Sequence, residues 1–107
     1  MKNKSTRRAA FVYLLRCADG TIYTGWTFDI ARRVQAHQDG RGARYTRTRR
    51  PVELIYRERC ASRRAAMRRE IEIKRMSRAR KLRMARGERR EAILRAPRST
   101  PLARGEL

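Results

Sequence analysis

The chain has 107 residues, with 30 Lys+Arg against 10 Asp+Glu and a formal net charge of +20. That length supports one small domain with a modest core, and so much positive charge calls for an anionic partner, nucleic acid by default. No apolar run is long enough to span a bilayer, no long apolar segment follows the basic N-terminus as in a secretory signal, and neither Cys17 nor Cys60 has a Cys or His at zinc-ligand spacing.

The two cysteines read as small buried hydrophobes in a reducing cytoplasm. Residues 1–9 read as a loose basic arm, residues 10–95 as the folded domain, and residues 96–107, rich in Pro, Ser, Thr and Arg, as a disordered basic tail. Phe11-Val12-Tyr13-Leu14-Leu15 is a continuous apolar run of β-formers, the pattern of a strand covered on both faces. Ala18-Asp19-Gly20 signals a turn, and Thr21-Ile22-Tyr23-Thr24 a second strand closed by Gly25. The hairpin register decides whether Tyr13 and Tyr23 share a face. A two-residue loop opposes Tyr13 to Trp26 and sends the tyrosines to opposite sides. A three-residue loop, opposing Tyr13 to Thr27, puts them on the same side.

Asp29 starts a helix that ends before Gly40, with Ile30, Arg33, Val34 and His37 on one stripe. Residues 39–50 read as a loop dense in Gly and Arg, with the lone aromatic Tyr45. Arg41, Arg44, Tyr45 and Arg47 there suit a phosphate backbone, and a solvated loop is the plainer alternative. Pro51 opens a third strand through Glu58. Ser62 can cap a helix through Met76, and Ser77 a further helix through Arg86 that ends at Gly87, with a turn or two more over 88–95. The expected fold is therefore a small α/β domain, a three-stranded sheet flanked by helices in the order β-β-α-β-α-α.

One carboxylate stands out. On the helix from Ser62, Glu70 shares a face with Ala66, Met67 and Ile73, the residues expected to dock on the sheet, while Glu72 turns toward Arg68 and Arg69. A carboxylate there needs a partner. An i, i+4 pair with Lys74 supplies one; a divalent cation that keeps its waters and takes substrate phosphate supplies another.

Taken in order, Phe11-Val12-Tyr13, Tyr23-Thr24-Gly25, the Asp29-to-His37 helix with Arg33 and His37, and Met67-Arg68-Arg69-Glu70 resemble the signature of the GIY-YIG endonuclease superfamily, most closely its small single-domain bacterial branch. The resemblance spans about residues 10–86. It implies metal-dependent hydrolysis of DNA phosphodiester bonds with low sequence specificity, in a repair or recombination setting. In that reading Tyr13, Tyr23, Arg33, His37 and Glu70 are catalytic, Gly25 is a structural part of the motif, and Lys74 joins the loop residues in holding nucleic acid. Glu70 would ligate Mg²⁺ or Mn²⁺, Arg33 would neutralise charge on the phosphoryl oxygens, and Tyr13 or Tyr23 would orient or deprotonate water. His37 would take the proton from that tyrosine or position phosphate. The sequence has no asparagine after Glu70, where family members often carry one, and Trp26 follows the motif glycine where some carry Lys or His. An inactive or weakly active module that binds DNA or RNA through the same basic surface is the alternative.

Overall fold

The computed structural model describes residues 8–94. Most of the expected N-terminal arm and all of the expected tail lie outside those residues. Three strands, β1 (Ala10–Arg16), β2 (Ile22–Thr27) and β3 (Glu53–Cys60), form one antiparallel sheet in the order β2-β1-β3. The helices are α1 (Ile30–Gln38), α2 (Arg44–Arg47), α3 (Arg63–Lys74) and α4 (Arg78–Leu94). This is the α/β architecture expected from sequence, with one extra short helix inside the loop of residues 39–50.

The continuous apolar run occupies the middle of the sheet. Val12, Tyr13, Leu14 and Leu15 are all fully buried, because helices cover both faces. Val12 and Leu14 meet Ala66 and Ile73 of α3 and Ala85 of α4. Tyr13 and Leu15 point the other way, toward Tyr23 and toward Ile30 and Val34 of α1. Burying each aliphatic side chain contributes about 1.5–3 kcal/mol, so this alternation is what fixes the strand's orientation. Opposite Leu14 and Leu15 the β3 register shifts by one residue. That bulge lets both Ile55 and Tyr56, adjacent in sequence, pack on the α3 side.

The β1–β2 hairpin has a three-residue loop. The Cys17 N–H donates to the Thr21 carbonyl at 2.8 Å and the Gly20 N–H to the Cys17 carbonyl at 2.9 Å. Gly20 takes φ = +87°, the left-handed position such loops require. The loop is residues 18–20, so Tyr13 opposes Gly25, two positions short of the expected Thr27. The parity is the one that puts Tyr13 and Tyr23 on a single face.

Several expected boundaries move, among them the end of α3, which stops at Lys74 and not at Met76. β2 continues through Gly25 to Thr27, because the glycine is covered by a neighbouring side chain and does not end the strand. β3 starts at Glu53, two residues after Pro51, and continues to Cys60. α4 runs through Gly87, where a β-carbon would meet nothing within 4 Å. An interior glycine costs a helix about 1 kcal/mol, and here that does not stop it. The expected caps are in place: Asp29 accepts the Arg32 N–H at 3.1 Å, Ser62 the Ala65 N–H at 3.1 Å, and Ser77 the Arg80 N–H at 3.1 Å. Met67, expected to dock, is 44% exposed, because its place on α3 has rotated past the sheet.

Candidate active site

Gly25 sits directly across from Tyr13. A β-carbon at Gly25 would lie 2.6 Å from the Tyr13 hydroxyl oxygen and 3.1 Å from the Tyr23 ring. The missing side chain is the space in which the Tyr13 phenol lies, and that accounts for a glycine inside a strand. The two tyrosine rings lie 6.4 Å apart, centre to centre.

α1 brings His37 to them. Its docking stripe carries Ile30, Val34 and His37 onto the sheet, and His37 is fully buried with them. The His37 ring stands edge-on to both tyrosines, at 5.8 Å from Tyr13 and 5.1 Å from Tyr23. Its Nε2 is 2.9 Å from the Tyr13 hydroxyl, and its Nδ1 is 2.7 Å from Thr46 Oγ1 on α2. At the end of the helix, Gln38 clamps the residue just before the third strand. Its amide donates to the Val52 carbonyl at 2.7 Å and accepts the Val52 N–H at 3.0 Å.

Arg33, one turn before His37, is half-buried and directs Nη1 at the Trp26 carbonyl, 3.4 Å away. Burial pushes the Tyr13 hydroxyl up to about 12, with the Tyr23 charge adding to the rise; the Arg33 cation pulls it back. The Tyr23 hydroxyl is raised by burial and then by the Glu70 charge, against Arg33. His37 is held below its ordinary value by burial and by the Arg33 cation, so it is neutral at pH 7. Glu70 of α3 is the carboxylate whose charge raises both tyrosines. The Glu70 carboxylate is 19% exposed and 3.6 Å from Lys74 Nζ, a loose ion pair. Glu72 turns away to Arg69 at 2.9 Å, as expected.

The structure brings Tyr13, Tyr23 and His37 into one cluster beside Gly25, with Arg33 one turn before His37 on α1 and Glu70 on α3 acting on both tyrosines through its charge. The loop residues divide. Arg41 pairs with Asp39 at 2.9 Å. It also shares with Arg32 and Arg33 a cavity of about 260 Å³ that includes Asp29. Arg44 and Arg47 are exposed. Tyr45 is not a lone aromatic: one face stacks on Tyr23 at 6.0 Å, and the Arg49 guanidinium covers the other at 3.9 Å. The residue is still 38% exposed.

Sequence reasoning missed Thr46, Gly42 and Gln38. A threonine in an arginine-rich loop carries no periodic signal. Gly42 is readable only with coordinates, because a β-carbon there would overlap the His37 ring.

A divalent metal can be tested against the donor set. Among the described residues no three His, Cys, Asp or Glu side chains converge as a protein cage. Glu70 offers one hard carboxylate, half-buried and only loosely paired with Lys74. That set fits Mg²⁺ or Mn²⁺, which keep several waters and complete their shells with phosphate oxygens; it does not fit zinc. Among the described residues no helix is long and apolar enough to cross a membrane.

Comparison with known proteins bears on the family. A UPF0213 protein of Natronomonas pharaonis is 55% identical over 78 residues, covering 73% of this chain and 92% of that protein. A UPF0213 protein of Desulfotalea psychrophila is 54% identical over 79 residues, covering 73% and 72%. The solution NMR structure of the UPF0213 protein BH0048 from Bacillus halodurans is 43% identical, covers 71% of this chain and 81% of that one, and superposes with a TM-score of 0.46. Residues 9–83 match the GIY-YIG catalytic domain. The chain belongs to the GIY-YIG family, whose domain implies nuclease-type chemistry on nucleic acid.

Proposed function

We propose that this protein is a metal-dependent endonuclease that hydrolyses DNA phosphodiester bonds with low sequence specificity. The observation that carries the reading is the cluster of Tyr13, Tyr23 and His37 packed beside Gly25, with the opposite charges of Arg33 and Glu70 both acting on the tyrosine hydroxyls. Phosphoryl transfer needs those parts: a cation where charge develops, a metal ligand, and an oriented hydroxyl.

Glu70 would hold Mg²⁺ or Mn²⁺, which when bound polarises the phosphate and steadies the leaving 3′-oxygen. Arg33 neutralises charge on the non-bridging oxygens. Tyr23, half-buried and open at its rim, orients the attacking water. Tyr13 is fully buried and reaches the reaction through its neighbours His37 and Arg33. Arg41, Arg44, Arg47 and Lys74 hold the strands by their phosphates. Arginine and lysine on phosphate give affinity without reading bases, which supports low specificity. Discrimination would then rest on the shape of the DNA, as at the branched or damaged sites of repair and recombination. The two free thiols, Cys17 and Cys60, suit the reducing cytoplasm where that DNA lies.

The full burial of Tyr13 and His37 also favours a second reading, a DNA- or RNA-binding module in which both are plain core aromatics. Nicking of supercoiled plasmid in Mg²⁺, Mn²⁺ or EDTA separates the two. The nuclease reading expects metal-dependent nicking that disappears in Glu70→Ala and Arg33→Ala while DNA binding persists. Nicking that survives Glu70→Ala, or no nicking by a chain that binds DNA tightly, would overturn it.

A further inference from the structure

α2 is one turn long, yet it places one fully buried hydroxyl, Thr46 Oγ1, against the back of His37. That oxygen is 2.7 Å from His37 Nδ1 and 3.2 Å from the Ala43 carbonyl. A hydroxyl has one proton, and a carbonyl can only accept. With the Thr46 proton on the Ala43 oxygen, Thr46 can only accept from His37. Nδ1 therefore carries hydrogen, and Nε2 presents a lone pair. The Tyr13 hydroxyl, 2.9 Å away, donates to it. The lone pairs of the Tyr13 oxygen then face away from His37. The opposite tautomer undoes the chain: Thr46 would have to leave the Ala43 carbonyl, and the Tyr13 oxygen would accept from Nε2 and turn its proton elsewhere.

The seat for this ring is cut to fit. A β-carbon at Gly42 would overlap His37 Nδ1, so the chain passes behind the imidazole only as glycine. Gly42 and Thr46 both lie in the Arg-rich segment whose charges alone would place it on phosphate.

We propose that Thr46 is a positioning residue: its hydroxyl fixes His37 as the Nδ1–H form and, through it, orients the Tyr13 hydroxyl for the reaction at the scissile phosphate. The last link rests on the nuclease reading; the Thr46–His37–Tyr13 chain does not.

The test uses the whole chain labelled with ¹⁵N. The sequence has 1 His, so the long-range ¹H–¹⁵N spectrum of its imidazole is unambiguous. Above the ordinary histidine range, wild type and Thr46→Ser should show the Nδ1–H pattern, and Thr46→Val a mixture or the Nε2–H form. In single-turnover cleavage Thr46→Val should be slower by on the order of tenfold, the scale of one lost second-shell bond, at unchanged DNA affinity, with Thr46→Ser restoring the rate. An Nε2–H wild type overturns the proposal without any variant having to fold. So does a Thr46→Val protein with wild-type tautomer and wild-type rate. A chain that cleaves no DNA but shows a Thr46-dependent tautomer supports the proton chain and rejects the nuclease reading.

Discussion

The Tyr13 hydroxyl lies 2.9 Å from His37 Nε2, and both side chains are fully buried. Each is the other's partner across the join between β1 and α1. Tyr13→Phe keeps the ring and removes the donor, leaving a buried acceptor unpaired. The expected loss is about 1–3 kcal/mol of unfolding free energy, read from the urea midpoint, with cleavage reduced as His37 loses its hydroxyl partner. A Tyr13→Phe protein as stable and as active as wild type would contradict the assignment.

His37 also gives stability a pH dependence with a definite sign. Its folded value lies below the ordinary one, because burial and Arg33 both disfavour the cation. Above about pH 6.5 neither folded nor unfolded chain protonates it, and its contribution is fully present. As pH falls below about 6.5 the unfolded chain takes a proton that the folded chain refuses. Stability then drops, by at most about 1.4 kcal/mol per pH unit, until the depressed folded value is reached. The carboxyls of Asp19 and Asp39 are held low by their hydrogen-bond partners, Thr21 for the first and Arg41 for the second, so they titrate far below this window. Urea unfolding of the untagged chain at about pH 8 and about pH 5.5 checks it. A midpoint unchanged or higher at the acid pH would reject the burial of a neutral His37.

Gly25→Ala drives a methyl group into the Tyr13 phenol, which has no room to retreat inside the sheet. Overpacking of this kind costs about 1–3 kcal/mol. Because Tyr13 holds His37, cleavage should fall further than the stability loss explains. Equal stability and activity in wild type and Gly25→Ala would mean that Tyr13 does not occupy the glycine's space.

Gln38 makes two bonds to the Val52 backbone and so ties the His37-bearing helix to the residue just before β3. Gln38→Leu removes both and leaves a half-buried N–H and C=O without partners. At about 1 kcal/mol per net bond, a loss of about 2 kcal/mol is expected by calorimetry or urea unfolding. A loss under about 0.5 kcal/mol would show that the clamp is replaceable by solvent.

Much of this was legible in the sequence because it depends on periodicity and caps. The run Phe11 to Leu15 announced a doubly covered strand, Asp29, Ser62 and Ser77 announced helix starts, and the side-chain alternation tied the shared tyrosine face to loop length. Glu70 stood out because a carboxylate bordered an apolar stripe. What the sequence hid depends on tertiary fit. Met67 shares the helix face of Glu70 by angle, but the sheet ends before it. Gly25 resembled a strand terminator, and only the cross-strand Tyr13 shows why the strand passes through it. Thr46 and Tyr45 lie among arginines that suggest a solvated loop, and the turn they form becomes visible only where His37 and Tyr23 receive them.

The most direct test of the central claim is single-turnover cleavage of a branched DNA duplex by wild type and Glu70→Gln in Mg²⁺, with affinity for the same duplex measured in parallel. Glutamine keeps the shape of Glu70 and removes its charge. The account predicts that cleavage falls by at least about a hundredfold while affinity holds or rises, since a negative charge has left a phosphate-binding surface. Cleavage by Glu70→Gln at the wild-type rate would contradict it.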